Sequence, residues 1–232
     1  RDNMDKFKKA MRYPLFTITA MMSAFVILII LVVPKFKSIF ASLGADLPLP
    51  TLILLKTEYI FTTYWHILVT FILASIFVIR YLYKNNKRFH YEVDKNILKL
   101  YFIGNVMYLY SMNQYMLTLS QMLKAGIPLE EALRSSSQMV DNIHLKRLFN
   151  TIIELIKRGS TLTNAFSETK LFERTSIQMV SAGEQSGNLD EMLGVAGNYY
   201  KMKYDAIIDN LSAYIEPIIT AFIASMVLLL AL

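Results

Sequence analysis

Cysteine is absent from the 232 residues. That excludes a disulfide framework, a thiol nucleophile and any cysteine-ligated metal. Histidine is scarce, and His66, His90 and His144 are scattered, with no His-Glu-x-x-His spacing of the zinc-hydrolase kind. The eight glycines form no phosphate loop of the Walker type, so the chain has no sequence motif for driving anything with ATP by itself. Charged residues are few, 18% against 54% hydrophobic. Between Lys84 and Asn210 convincing strand alternation is also missing, which leaves helix as the regular element to expect.

What the chain does have is long uncharged blocks. Leu15 to Val33 runs 19 residues without a charge. At 1.5 Å per helical residue it covers about 28 Å, close to the roughly 30 Å of a bilayer's hydrocarbon. Ile60 to Ile79 carries only His66 as a titratable group, and Ile218 to Leu232 is uncharged throughout. The last block is short for a span, so Leu211 to Pro217 supplies its first turns or the natural chain continues. One such block could be a buried core helix; three predict a membrane protein. Pro34-Lys35 follows the first block where a signal peptide would carry a small-residue cleavage site. The opening RDNMDKFKKAMRY is a basic amphipathic run without an initiator Met, and reads as the tail of an upstream bundle.

Basic residues set the expected orientation. Arg1, Lys6, Lys8, Lys9 and Arg12 precede the first block, and Arg80, Lys84, Lys87, Arg88, Lys95 and Lys99 follow the second. The loop between holds Lys35, Lys37 and Lys56, so the balance is eleven against three. Both flanks are therefore expected in the cytoplasm and the loop outside. Tyr59, Tyr64 and Trp65 gather at the outer end of the second span, where amphipathic rings favour headgroups. The net charge of +6 then follows from topology, and with no separate basic patch nucleic acid is not an expected partner.

The segment after Lys84 is punctuated as helical hairpins. Leu109, Met112, Met116, Leu119 and Leu123 recur at three- and four-residue spacing on one helix face; the methionines are read as core, with a soft partner groove as the sharper alternative. Gly126 closes that helix and Pro128 suits the first position of the next, with Glu130 and Glu131 in its positive first turn. Asp141 or Asn142 caps a helix that Gly159 ends, and Thr161 caps a short one after it. A helix from about Arg174 ends near Ser186, Gly187 closes it, and Asn188 caps the next with Glu191 at capping-box spacing. About six antiparallel helices in a bundle are predicted.

The acids Glu184, Asp190 and Glu191 invite an enzymatic reading, as an acid–base pair or a Mg²⁺ or Ca²⁺ site. Helix capping already explains Asp190 and Glu191, and no histidine is near in sequence, so no catalytic, cofactor-binding or metal-ligating residue is assigned. Arg80 and Glu216 lie at the cytoplasmic ends of spans, and no charge sits centrally in one. A transporter or channel subunit is the alternative function, resting on a sparse stripe of Thr17, Thr19, Ser23, Thr70 and Ser75. An intramembrane enzyme would need paired catalytic groups at bilayer depth, and none is visible.

An internal echo joins the ends of the chain: Met11-Arg12-Tyr13-Pro14 leads into the first span as Tyr214-Ile215-Glu216-Pro217 leads into the third. With RYPLF before the first span, VVPKFKSIFASLGADLPLPT after it, LSQMLKAGIPLEEAL opening the bundle and MVSAGEQSGNLDEML later, the chain resembles the GspF/PilC family. These are inner-membrane platform proteins of type II secretion and type IV pilus machines. Gln185 stands where that family usually has a second acid, and Asn164 where a glutamate commonly completes a capping box.

The resemblance implies an all-α, polytopic inner-membrane protein whose parts follow in order. Residues 1–13 end an upstream cytoplasmic bundle, 14–33 span the membrane, 34–59 form a periplasmic loop and 60–83 span again. Residues 84–210 form the cytoplasmic bundle and 211–232 the third span, truncated or not. It implies a non-enzymatic scaffold, without cofactor, coupling a hexameric cytoplasmic ATPase to pilin or pseudopilin helices. Other inner-membrane assembly proteins, further copies of the chain and membrane lipid complete the expected partners. The expected contact residues are Gly126, Pro128, Glu130, Glu131, Glu184, Gly187, Asn188, Asp190 and Glu191.

Overall fold

The computed structural model describes residues 2–27, 30–31, 35 and 49–231. Among them the regular elements are helices, without strands. In chain order they are α1 (Asp2–Ile27), α2 (Leu49–Asn85), α3 (Lys87–Ile97), α4 (Ile103–Lys124) and α5 (Leu129–Gln138), then α6 (Ile143–Lys157), α7 (Leu162–Thr169), α8 (Arg174–Ser186), α9 (Leu189–Asp209) and α10 (Leu211–Ala231). The chain divides into two compact units, residues 1–80 with 208–232, and residues 81–207.

In the first unit α1 packs against α10. Pro14 and Pro217 lie inside continuous helices, so neither marks a break between a tail and a span. Of the loop expected at 34–59, residues 34 and 36–48 lie outside the described residues, while Leu49–Tyr59 belongs to α2. Within α2, Thr63–Asn85 is, among the described residues, the segment long and apolar enough to cross a membrane. Phe71, Leu73 and Phe77 there are exposed, as are Leu15, Phe16 and Ile218 in the other two helices. Apolar surface on this scale marks a face made for something other than water.

The second unit is built around α4. Leu109, Met112, Met116 and Leu119 are buried, so the three-four spacing read from the sequence is a core face and the methionines fill the interior. On the same helix Tyr115 stacks flat on Phe149 of α6, ring centroids 3.8 Å apart and planes 2° apart, and Phe166 stacks on Phe172 at 3.9 Å. The four rings form one cluster joining α4, α6, α7 and the segment before α8. Offset and stacked aromatic pairs contribute beyond the area they bury.

Helix starts follow local chemistry. Asn142 Oδ1 accepts the Leu145 N–H at 2.9 Å and Thr161 Oγ1 accepts the Asn164 N–H at 3.2 Å. Asn86 caps α3 by accepting from Arg88 and Phe89. Pro128 occupies the cap position itself rather than the first helical one. Among the described residues, Asn188 and Glu191 form no reciprocal side-chain box; the Asn188 carbonyl accepts the Met192 N–H at 3.1 Å.

Asp94 ties α3 to α6. It is buried, accepts the Tyr83 hydroxyl at 2.9 Å and the Ile143 N–H at 2.6 Å, and its carbonyl accepts from the Asn142 amide at 2.9 Å. Helix α9 runs antiparallel to α4: Ser120 Oγ donates to the Asp190 carbonyl at 2.7 Å and Asn113 Nδ2 to the Gly197 carbonyl at 2.8 Å. Farther along, Tyr110 meets Tyr204 with ring centroids 6.0 Å apart.

Candidate functional site

Three helix hairpins of the second unit close on glycines in the left-handed region, Gly126 at φ +78°, Gly159 at +88° and Gly187 at +75°. Any other L-residue there meets its own carbonyl, and glycine does not. After α4, Ile127 N–H bonds the Met122 carbonyl and Gly126 N–H the Leu123 carbonyl. After α6, Ser160 and Gly159 repeat the pair on Leu155 and Ile156. This double closure satisfies carbonyls that a helix end otherwise leaves to water.

Cross-contacts bring the three turns to one end of the unit. Lys157 at the end of α6 lies 3.5 Å from Glu130 at the start of α5. Ser120 near the end of α4 holds Asp190 at the start of α9. Glu184 near the end of α8 accepts the N–H of Leu162 at 2.6 Å and of Thr163 at 3.0 Å, and also the Thr163 hydroxyl. Glu184 is thus the remote cap of α7, placing negative charge where free N–H groups and the helix dipole favour it.

The nine residues singled out from the sequence all fall at this end, in two environments. Gly126, Pro128, Glu130, Glu131, Gly187, Asn188 and Glu191 are exposed, whereas Asp190 and Glu184 are half-buried. Glu130 is shared by Arg134 at 3.4 Å and Lys157 at 3.5 Å. No group of three His, Asp or Glu among the described residues is arranged to hold a metal. Gly183 sets the closeness of the α8–α9 hairpin: a Cβ there would lie 2.7 Å from Met192 Cβ and 3.0 Å from Leu189 Cα.

A second polar group, at the opposite end of this unit, escapes a reading along the chain. Glu173 accepts from the Tyr199 hydroxyl and the Lys203 ammonium, both at 2.6 Å through Oε2. Burial pushes its carboxyl up, but the bonds from Lys203 and Tyr199 and the Lys203 charge outweigh that and hold it below its ordinary value. The partners lie 26 and 30 residues away, and no local pattern announces them.

Among the described residues the protein is all-helical, with glycine-closed hairpin turns and paired surface charges on its second unit and exposed apolar helix faces on its first. Residues 115–232 match the family model described as "Type II secretion system (T2SS), protein F". The chain is similar to type IV pilus assembly protein PilC of Pseudomonas aeruginosa, 35% identical over 222 residues that make up 96% of this chain and 59% of that protein. It is 29% identical to type IV pilus assembly protein TapC of Aeromonas hydrophila, over 96% of this chain and 54% of that one. Type II secretion system protein F of the same organism is 28% identical, over 98% and 58% respectively. The chain belongs to the type II secretion system protein F family, and it spans somewhat over half the length of these relatives.

Proposed function

We propose that the chain is a non-enzymatic platform of the bacterial inner membrane. It couples a hexameric cytoplasmic ATPase to assembly of pilin or pseudopilin filaments, and works as a homo-oligomer beside other assembly proteins. The observation that carries this reading is the similarity, over nearly the whole chain, to proteins named for type IV pilus assembly and for type II secretion. In this reading residues 14–33, 60–83 and 211–232 span the bilayer, 34–59 is periplasmic, and the N-terminus and the bundle at 84–210 are cytoplasmic. The exposed apolar faces of α1, α2 and α10 support the spans, and the distribution of Lys and Arg supports the orientation.

The hydroxyls of Thr17, Thr19, Ser23 and Thr70 donate to carbonyls of their own helices, to Tyr13, Leu15, Thr19 and His66. Hydroxyls satisfied this way suit lipid and supply no polar path, which favours a scaffold over a transporter. The glycine-closed end is the ATPase face. Glu131, Asn188 and Glu191 are exposed there, and charges such as the two carboxylates steer and orient a partner more than they add affinity.

The test is co-purification with the assembly ATPase from membranes, comparing the wild-type chain with Glu131→Lys and Glu191→Lys combined. Among the described residues these side chains make no hydrogen bond or ion pair, and reversing a first-turn acid costs about 0.3–1 kcal/mol, so retention of the fold is checked by circular dichroism. Capture is expected to fall at least tenfold; unchanged capture removes this face from the proposal.

A further inference from the structure

At the end of the second unit opposite the glycine turns, the α3–α4 link presents Leu100 at 51%, Tyr101 at 95% and Ile103 at 50% exposure. Met139, in the turn between α5 and α6, is 57% exposed at the same end. A tyrosine left almost wholly uncovered between two exposed aliphatic residues has no role in the core of this unit.

The link is not a loose loop. Lys99 N–H bonds the Asn96 carbonyl at 3.0 Å, Leu100 N–H the Ile97 carbonyl at 3.2 Å and Gly104 N–H the Leu100 carbonyl at 2.9 Å. Gly104 makes the turn sterically possible, since a Cβ there would lie 2.2 Å from the Leu98 oxygen. Behind the link is an open cavity of about 310 Å³ whose walls include Leu98, Tyr108, Leu148 and Leu171. The result is an apolar prong on a fixed base.

Its position follows from hydrogen bonds inside the unit. Asp94 sits at the start of α6 and Tyr91 lies 3.0 Å from His144, with Arg147 over its ring. Helix α3 therefore runs antiparallel to α6, and its last turn points beyond the α6 N-terminus. Tyr83, in the part of α2 that belongs to this unit, bonds the same Asp94. The prong and Tyr83 thus lie toward the same end of the second unit.

Lys95 and Lys99 flank the link, and no acid occurs from Lys95 to Leu129. Of the acids at this end, Asp94 is tied to Tyr83 and Ile143 and Glu173 to Tyr199 and Lys203, while Glu92 and Asp141 are exposed. Aliphatic side chains around a phenol, flanked by two lysines, match the boundary between acyl chains and anionic headgroups. Four side chains fall far short of the about 20–30 residues a side that a stable protein interface uses, which disfavours a second copy as the occupant.

We propose that the α3–α4 link is a lipid-contact site. Leu100, Tyr101 and Ile103 seat in the headgroup–acyl boundary of an anionic bilayer, with Lys95 and Lys99 on lipid phosphates. The inference rests on the membrane placement proposed above, which the experiment checks separately.

Because the sequence holds no cysteine, single spin labels report one position each. The full chain is reconstituted in nanodiscs of phosphatidylethanolamine and phosphatidylglycerol, labelled in turn at Phe71→Cys, Tyr101→Cys and Asn188→Cys. Collision with oxygen and with a water-soluble nickel chelate gives the depth. Expected is a Phe71 label in hydrocarbon, an Asn188 label in water, and a Tyr101 label at least fivefold less accessible to nickel than the Asn188 label. Nickel access at 101 is expected to rise severalfold when Lys95→Gln and Lys99→Gln are combined, or when phosphatidylcholine replaces phosphatidylglycerol. A deep Phe71 label with a Tyr101 label as wet as Asn188 overturns the lipid contact alone. A wet Phe71 label overturns both readings. Dipolar broadening between Tyr101 labels identifies a second copy as the occupant and also overturns it.

Discussion

Replacing Glu184 removes one carboxylate and strands the start of another helix. Its two oxygens accept the Leu162 and Thr163 N–H groups at 2.6 and 3.0 Å, and the Thr163 hydroxyl as well. Hydrogen bonds to a charged group contribute about 1.5–3 kcal/mol each, and losing a cap costs about 0.5–2 kcal/mol. These ranges overlap because the same N–H groups are counted in both, and water partly replaces the lost acceptor at a half-buried site. For Glu184→Ala the opening of α7 should become easier by about 2–3 kcal/mol, and for Glu184→Gln, which keeps one acceptor oxygen, by about 1 kcal/mol. A chain of two units offers no single unfolding free energy, so the measurement must be local. Amide hydrogen exchange across Leu162–Phe166, read by mass spectrometry on the intact chain in detergent, supplies it. At tenfold per 1.4 kcal/mol, the alanine variant should exchange about 30- to 140-fold faster there. Glu191→Gln, in the same sequence cluster but exposed, should leave α7 unchanged. Equal exchange in the wild type and Glu184→Ala would refute the remote cap and return Glu184 to the pool of residues free for a partner.

Three further outcomes are expected. Gly183→Ala drives a Cβ to within 2.7 Å of Met192 Cβ and 3.0 Å of the Leu189 backbone; overpacking of this kind costs about 1–3 kcal/mol, seen as faster exchange in both α8 and α9. Glu173 titrates below its ordinary value, so its contribution is present above about pH 4.3, the unfolded carboxylate's pKa, and is lost as pH falls through the lower folded value. Exposure of the Lys203 pair keeps that contribution under about 1 kcal/mol; circular dichroism melts should lose a small acid-side slope in Glu173→Gln. Tyr115 is fully buried, with its hydroxyl unpartnered among the described residues, so Tyr115→Phe should be neutral or stabilise by about 1 kcal/mol, seen as unchanged or up to about fivefold slower exchange in α4 and α6, while keeping the stack on Phe149.

Much of the second unit is written locally, and the residues that write it are identifiable. Gly126, Gly159 and Gly187 end helices because only glycine takes the turn cheaply, and Asn142 and Thr161 start them because a short oxygen reaches the free N–H groups. The α4 core face shows as spacing because burial follows the helical period. The ends of the bundle are legible on the same grounds: two hairpin turns with first-turn acids mark one surface. What the sequence hides is pairing at a distance. Glu184 looks like a free acid until Leu162 and Thr163, more than 20 residues earlier, are seen to need it. Glu173 with Tyr199 and Lys203, and Asp94 with Ile143, are hidden for the same reason. Helix α3 is masked because Lys84 to Lys99 reads as a basic flank, although Asn86 carries an ordinary cap signal. Pro128 and the Asn188–Glu191 spacing mislead by one position or one bond, since a capping pattern permits a hydrogen bond without requiring it.

The central claim is that the glycine-closed end of the bundle receives the motor. Photo-crosslinking in native membranes, with the reactive residue placed at Asn188 in one chain and at Met139 in another, tests it most directly. Expected is a covalent product with the cytoplasmic assembly ATPase from position 188 and none from position 139. The same product from 139 alone, or from neither position in cells actively assembling filaments, would contradict it.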